Sequence, residues 1–192
     1  MTTSTDAGAH VAVLGATGRV GSATVELALA DGYHVRAVAR GAEAVRSRHE
    51  RLAVVLMAVG ADPLKPSTLV GDTVTTLAEV MPAVGLHRYV GVSGVAQMPA
   101  TPVGRLTQAV LRRAVKATID HQRAFDVLVE SDLDWVVAGC PYIKDGHPAG
   151  RAQEHASPFP GGYRVIAPRD VAMFLVRHVR DERRHRELVG LW

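Results

Sequence analysis

The chain is 192 residues long, 47% hydrophobic and 21% charged, a balance that suits one sizeable core and excludes an intrinsically disordered protein. Its formal net charge is only +3 and its basic residues are dispersed, which excludes the coherent cationic face of a nucleic-acid binder. The single cysteine, Cys140, excludes an internal disulfide and a cysteine-based zinc site.

Taken in chain order, residues 1–9 are small and polar and are expected to be a frayed tail. They lack the basic start and apolar run of a signal peptide, and no apolar stretch approaches the ~20 residues that span a bilayer, so a cytoplasmic protein with no membrane partner is expected. Residues 10–14 form a short apolar run, a buried strand that feeds the turn Gly15-Ala16-Thr17-Gly18-Arg19-Val20-Gly21. Residues 19–31 have helical spacing, with Val20, Ala23, Thr24, Leu27 and Ala30 on one side, and Gly32 stops the helix. Residues 33–39 alternate as a second strand that ends at Arg40.

Residues 41–51 carry a short helical pattern, and 52–59 are a continuous apolar run. Asp62-Pro63 and Lys65-Pro66 then break the chain before a helix over 67–83. Residues 88–92 are a buried strand that stops at Ser93-Gly94. A loop with Pro99 and Pro102 leads into helices up to Ser131, and 133–139 is a further strand interrupted at Cys140-Pro141. Residues 142–162, rich in Gly, Pro and His, are expected to be an irregular substrate loop, with a short strand near 162–166. Pro168 opens a helix with Asp170 in its first turn, running to about Arg180. The alternating charges of 180–186 suggest the solvated face of a terminal helix. Strands alternating with helices imply an α/β fold, a Rossmann-type doubly wound, mostly parallel sheet, with residues 10–192 as a single domain.

The glycine turn carries the chemistry. It follows an apolar strand, opens a helix and precedes a second strand, as a dinucleotide-binding unit requires. Gly15 permits the tight turn, Gly18 lets backbone approach a diphosphate, and Gly21 lets helix and strand pack closely. The helix N-terminus offers unpaired N–H groups, and Thr17 and Arg19 add side-chain donors. An NAD site usually has an acidic residue after the second strand. Here Arg40 stands there, with Arg36 earlier in the strand, and a guanidinium suits a 2′-phosphate. NADP is therefore expected in preference to NAD. Nine histidines are scattered, and His147 and His155 have only Asp145 and Glu154 near them in sequence, so no metal site is expected.

Several blocks in the second half resemble the flavin reductase/biliverdin-IXβ reductase family, among the atypical short-chain dehydrogenases with NmrA-like relatives. These blocks are Asp120-His121-Gln122-Arg123, the stretch Val127-Leu128-Val129-Glu130-Ser131-Asp132-Leu133, Pro141-Tyr142-Ile143-Lys144-Asp145-Gly146, Arg164-Val165-Ile166 and Arg169-Asp170-Val171-Ala172. With the glycine turn and Lys65-Pro66-Ser67-Thr68 the similarity spans most of residues 10–180. The resemblance implies NADPH-dependent reduction of a flavin, quinone or tetrapyrrole-like small molecule by a monomer or homodimer. It places the family's active-site serine at Ser93 and puts Tyr142 where the family has a histidine, with Lys144 and His147 close by. Ser93, Tyr142 and Lys144 are thus the catalytic candidates. Gly15, Thr17, Gly18, Arg19, Val20, Gly21, Arg40, Ala58, Val59, Ser93, Pro141, Tyr142 and Ile143 are the cofactor-binding candidates.

The chain departs from its relatives between Arg40 and Leu52, where one strand and one helix that border the adenine are missing. The 52–59 run lacks the alternation of an edge strand, so it is assigned beside the first strand. Eleven connecting residues span about 24 Å, just enough to return across one strand. An adenine side opened in this way leaves two other readings: a non-catalytic dinucleotide sensor, and a non-redox isomerase, cyclase or dehydratase using Ser93, Tyr142 and Lys144.

Overall fold

A computed structural model describes residues 8–39, 52–60 and 62–192. Strand β1 (His10–Leu14) runs through the glycine turn into helix α1 (Arg19–Ala30), and β2 (His34–Val38) follows. Next come β3 (Leu52–Met57), α2 (Leu69–Ala83) and β4 (Arg88–Gly94), then a 3-10 turn (Val95–Gln97) and helices α3 (Pro102–Ala114) and α4 (Ala117–Glu130). Strand β5 (Asp134–Cys140) precedes three two-residue strands, β6 (Tyr142–Ile143), β7 (Glu154–His155) and β8 (Val165–Ile166). Helix α5 (Pro168–Arg177) and strand β9 (Glu187–Leu191) close the chain.

The main sheet has the order β2-β1-β3-β4-β5-β9-β7. All its pairings are parallel except β7 with β9. Each central strand is apolar on both faces, as a strand covered by helices on both sides must be. Val11, Val13, Leu56, Val90, Val136 and Ala138 face α1 and α5. Ala12, Val55, Met57, Tyr89, Trp135 and Val137 face α2 and α4. This is the doubly wound α/β architecture expected from the alternation of elements.

The 52–59 run forms β3, which pairs with β1 on the side opposite β2, as its unbroken apolar character requires. Among the described residues no strand pairs with the outer edge of β2, where a further strand and its helix would continue a sheet of this type. Most of β2 is accordingly exposed.

Three expectations need correction. Ala30 is exposed, and the buried stripe of α1 runs through Gly21, Thr24 and Ala28. Helix α5 stops at Arg177. The charged run 180–186 is not a helix but a turn leading into β9, a strand that inserts beside β5. Most of its charged residues stay exposed, as a solvated run would, but several also take tertiary partners. Arg88, largely buried, donates to Asp134 (2.9 Å) and to the backbone carbonyls of His178, Asp181 and Arg184. Arg184 pairs with Glu187 and Glu154. Arg186 donates to the carbonyls of Val129 and Ser131, closing the C-terminal end of α4. No helix among the described residues is long and apolar enough to cross a membrane.

Candidate functional site

In an open parallel sheet the crevice outside the carboxyl ends of the strands is where ligands bind. Four strand ends meet there: β1 delivers Gly15, β3 delivers Ala58 and Val59, β4 delivers Ser93, and β5 delivers Pro141 and Tyr142.

The first of these ends is built for close backbone approach. Gly15 has φ +79°, and a Cβ on it would lie 2.7 Å from the Ala58 carbonyl oxygen, so the turn rests directly on the end of β3. Its N–H donates to the Val38 carbonyl (2.8 Å), tying the corner to β2 as well. Gly18 donates to the Gly15 carbonyl (2.9 Å), and a Cβ on Gly21 would overlap that same oxygen. The coil is therefore too tight for a side chain at Gly15 or Gly21, and tight at Gly18, where a Cβ would lie 3.2 Å from the same oxygen. Gly18 is the N-cap of α1 and supplies no side-chain cap, and the first turn, which includes Val20, holds no acidic residue. The orphan N–H groups and positive dipole end of α1 are thus offered to an anion. Thr17, Gly18 and Arg19 are all exposed beside them. These features fit the diphosphate of a dinucleotide.

From this corner Arg19 reaches across the crevice. Its guanidinium donates to the Ile143 carbonyl and to Asp145, both at 3.3 Å. Both partners of the ion pair are exposed, so the contact is weak and readily exchanged for another anion.

The profile of the NAD(P)H-binding family matches residues 51–182. The chain belongs to that family. The matched span takes in the ends of β3, β4 and β5, while the glycine turn lies upstream of it. Several solved structures share the fold of this NAD(P)H-binding protein. A candidate exported protein from Burkholderia pseudomallei superposes with a TM-score of 0.74 at 22% identity, covering 95% of this chain and 98% of that one. A candidate NADH-flavin reductase from Streptococcus pneumoniae does so with a TM-score of 0.67 at 19% identity over 95% and 98%. An anaerobilin reductase from Escherichia coli O157:H7 gives 0.69 at 19% over 95% and 96%.

The remaining candidates of this family member are only partly brought together. Ser93 is buried, and its hydroxyl donates to Gln97 Oε1 (3.2 Å), whose amide nitrogen lies 3.4 Å from the Thr118 carbonyl. Tyr142 and Lys144 are exposed, and their backbone N–H groups donate to Arg164 and Ile166 across the β6–β8 ribbon. Among the described residues no hydrogen bond or ion pair links Ser93 to either of them. Arg40 lies outside the described residues, and Arg36 sits exposed on β2. Cys140 is buried at the end of β5, and burial pushes its thiol pKa far up, so it is inert.

Two residues at the site lay beyond the sequence argument. Gln97 holds the Ser93 hydroxyl; a serine followed four positions later by an amide in a turn was the available signal. Asp145 closes onto Arg19 from 126 positions further along the chain, and nothing in the sequence between them announces that contact. The block 120–123, which carried part of the family resemblance, has a structural use. Asp120 is buried and accepts from Val70 N (2.9 Å) and Gly71 N (2.8 Å), capping α2 from the neighbouring helix, while Arg123 pairs with Asp72 (2.7 Å).

Proposed function

We propose that this chain is an NADPH-dependent oxidoreductase that reduces a flavin, quinone or tetrapyrrole-like acceptor. The observation that carries the reading is the uncapped, acid-free start of α1 at a coil that excludes a side chain at Gly15 and Gly21, beside the ends of β3, β4 and β5. Reduced nicotinamide supplies a hydride when bound. The chain's own part is to hold the diphosphate on the unpaired N–H groups of the first turn of α1, which the bare backbone of Gly18 leaves open to approach, with Thr17 and Arg19 as side-chain donors. Arg40 is assigned to the 2′-phosphate on its sequence position after β2. Ala58, Val59, Pro141 and Ile143 would border the cofactor.

Ser93 is already committed to Gln97, and among the described residues no hydrogen bond joins it to Tyr142 or Lys144. That favours acceptors that take a hydride and draw the following proton from water over substrates that need a positioned acid. The same feature supports a second reading, a dinucleotide sensor that binds without turnover.

Titration with NADPH and NADH, followed by nicotinamide fluorescence, tests the cofactor. NADPH is expected to bind more tightly, and Arg40→Ala should weaken it by about tenfold or more while leaving NADH unchanged. Oxidation of NADPH in the presence of FMN, a quinone or biliverdin supports the reductase. Tight binding with no turnover of any of them assigns the sensor.

A further inference from the structure

Two tyrosines stand on the lip of the crevice with their rings in solvent. Tyr142 is 54% and Tyr163 80% exposed. Their ring centroids are 6.3 Å apart and the planes differ by 30°, so they present one broad aromatic surface. Both belong to the ribbon that begins where β5 ends. Tyr142 pairs with Val165, two positions after Tyr163, so the alternation of the strands puts both tyrosines and Lys144 on one face. Ile143 and Ile166, on the other face, pack with the cluster under α1 and α5. The tyrosine face is thus the outward one.

The backbone beneath these rings is anchored. Gly161 (φ +97°) and Gly162 (φ +83°) turn the chain just before Tyr163. Gly161 lies so close to α3 that a Cβ there would come within 3.0 Å of Gly104 N. Gly162 N donates to Thr107 Oγ1 (3.1 Å), and β8 is held by β6. An exposed aromatic ring on a fixed backbone loses little freedom when a ligand covers it. The charge around it has one sign to spare. Asp145 is paired with Arg19, whereas among the described residues Lys144, exposed on the tyrosine face, has no ion-pair partner.

We propose that Tyr142 and Tyr163 form a stacking platform for a flat conjugated molecule, and that Lys144 on the same face holds an anionic arm of that molecule. The proposal rests on the reductase reading only in calling this molecule the hydride acceptor. It gives Tyr142 and Lys144 a binding role, with no proton transfer.

FMN and riboflavin are the probes, since they share the ring and differ in the phosphate. Their fluorescence quenching is measured on the full chain, with and without NADP+. Tyr163→Ala should weaken FMN binding about tenfold, the order of one base-sized stacking contact, and Tyr163→Phe should restore it. Lys144→Gln should weaken FMN while leaving riboflavin as it was. Unchanged FMN affinity in Tyr163→Ala, or no FMN binding by the unaltered protein, overturns the platform. Equal effects of Lys144→Gln on FMN and riboflavin overturn the anionic arm. FMN-dependent NADPH oxidation with a silent Tyr163→Ala would sink the platform and spare the reductase. Tyr163-dependent FMN binding without NADPH oxidation would do the reverse.

Discussion

A methyl group added at Gly21 would occupy the space of the Gly15 carbonyl oxygen, while one at Gly60 would meet nothing within 4 Å. The contrast makes a matched pair. Gly21→Ala forces α1 away from the turn that it caps, so the protein should lose about 2 kcal/mol of stability and the rise in Tm produced by saturating NADPH. Gly60→Ala should lie within about 0.5 kcal/mol of the parent. Urea unfolding and thermal shift, run on both, check the prediction. A Gly21→Ala protein that keeps its NADPH shift would show that the corner does not hold the diphosphate. At this scale the sequence was informative because the constraint is local. The three glycines, the strand before them and the helix after them lie within about twenty residues. Arg19 shows the limit of such reading: its place beside the turn was legible, but its contact with Asp145 arises only once β6 is folded over the crevice.

Elements are joined by contacts that a linear pattern does not display. Asp120 lies in the first turn of α4, a place where an acid is ordinarily read as a response to its own helix dipole. It caps α2 instead, some fifty positions earlier in the chain, and Gly71 lets the carboxylate come close, since a Cβ there would lie 2.9 Å from Oδ1. Asp120→Ala leaves two buried N–H groups without an acceptor and should cost about 3 kcal/mol, whereas Asp120→Asn keeps one acceptor and should cost about 1 kcal/mol. Equilibrium unfolding separates these outcomes, and equal losses in the two variants would contradict the cap. The same distance effect hid β9. Glu-Leu-Val-Gly-Leu is short, and the charges before it alternate as a solvated helix would, yet His185 and Arg184 reach Asp134 and Glu154 on other strands, and Arg88 donates to the carbonyls of Asp181 and Arg184. The apolar run of β3 was readable for the opposite reason. A strand covered on both faces has no polar positions, which excluded an edge and left the place beside β1.

Across the molecule, the end of the sheet opposite the crevice holds two histidines whose proton binding changes on folding in opposite senses. His178 is buried against the Phe174 ring, with Nε2 3.2 Å from Glu154 and Nδ1 3.2 Å from Asp181 but out of hydrogen-bonding alignment. Burial lowers its pKa below the ordinary 6.5, and the Glu154 carboxylate offsets only part of that. The unfolded chain therefore takes up this proton first, so stability from His178 is present above about pH 6.5 and falls as the pH drops toward the depressed value. His185 acts in the other sense. Its hydrogen bond to Asp134 (2.9 Å) raises its pKa, so its contribution is full below about pH 6.5 and disappears as the pH rises through the raised value. Asp181, held far below the usual carboxylate range by Arg183, stays ionised throughout this window and adds no slope. The two histidines thus oppose each other between pH 5 and 8. His185→Gln removes one of them, so the Tm of this variant should fall more steeply from pH 7 to pH 5 than that of the parent. Parallel Tm profiles in the two proteins would mean that the Asp134–His185 contact does not bind its proton more tightly in the folded state.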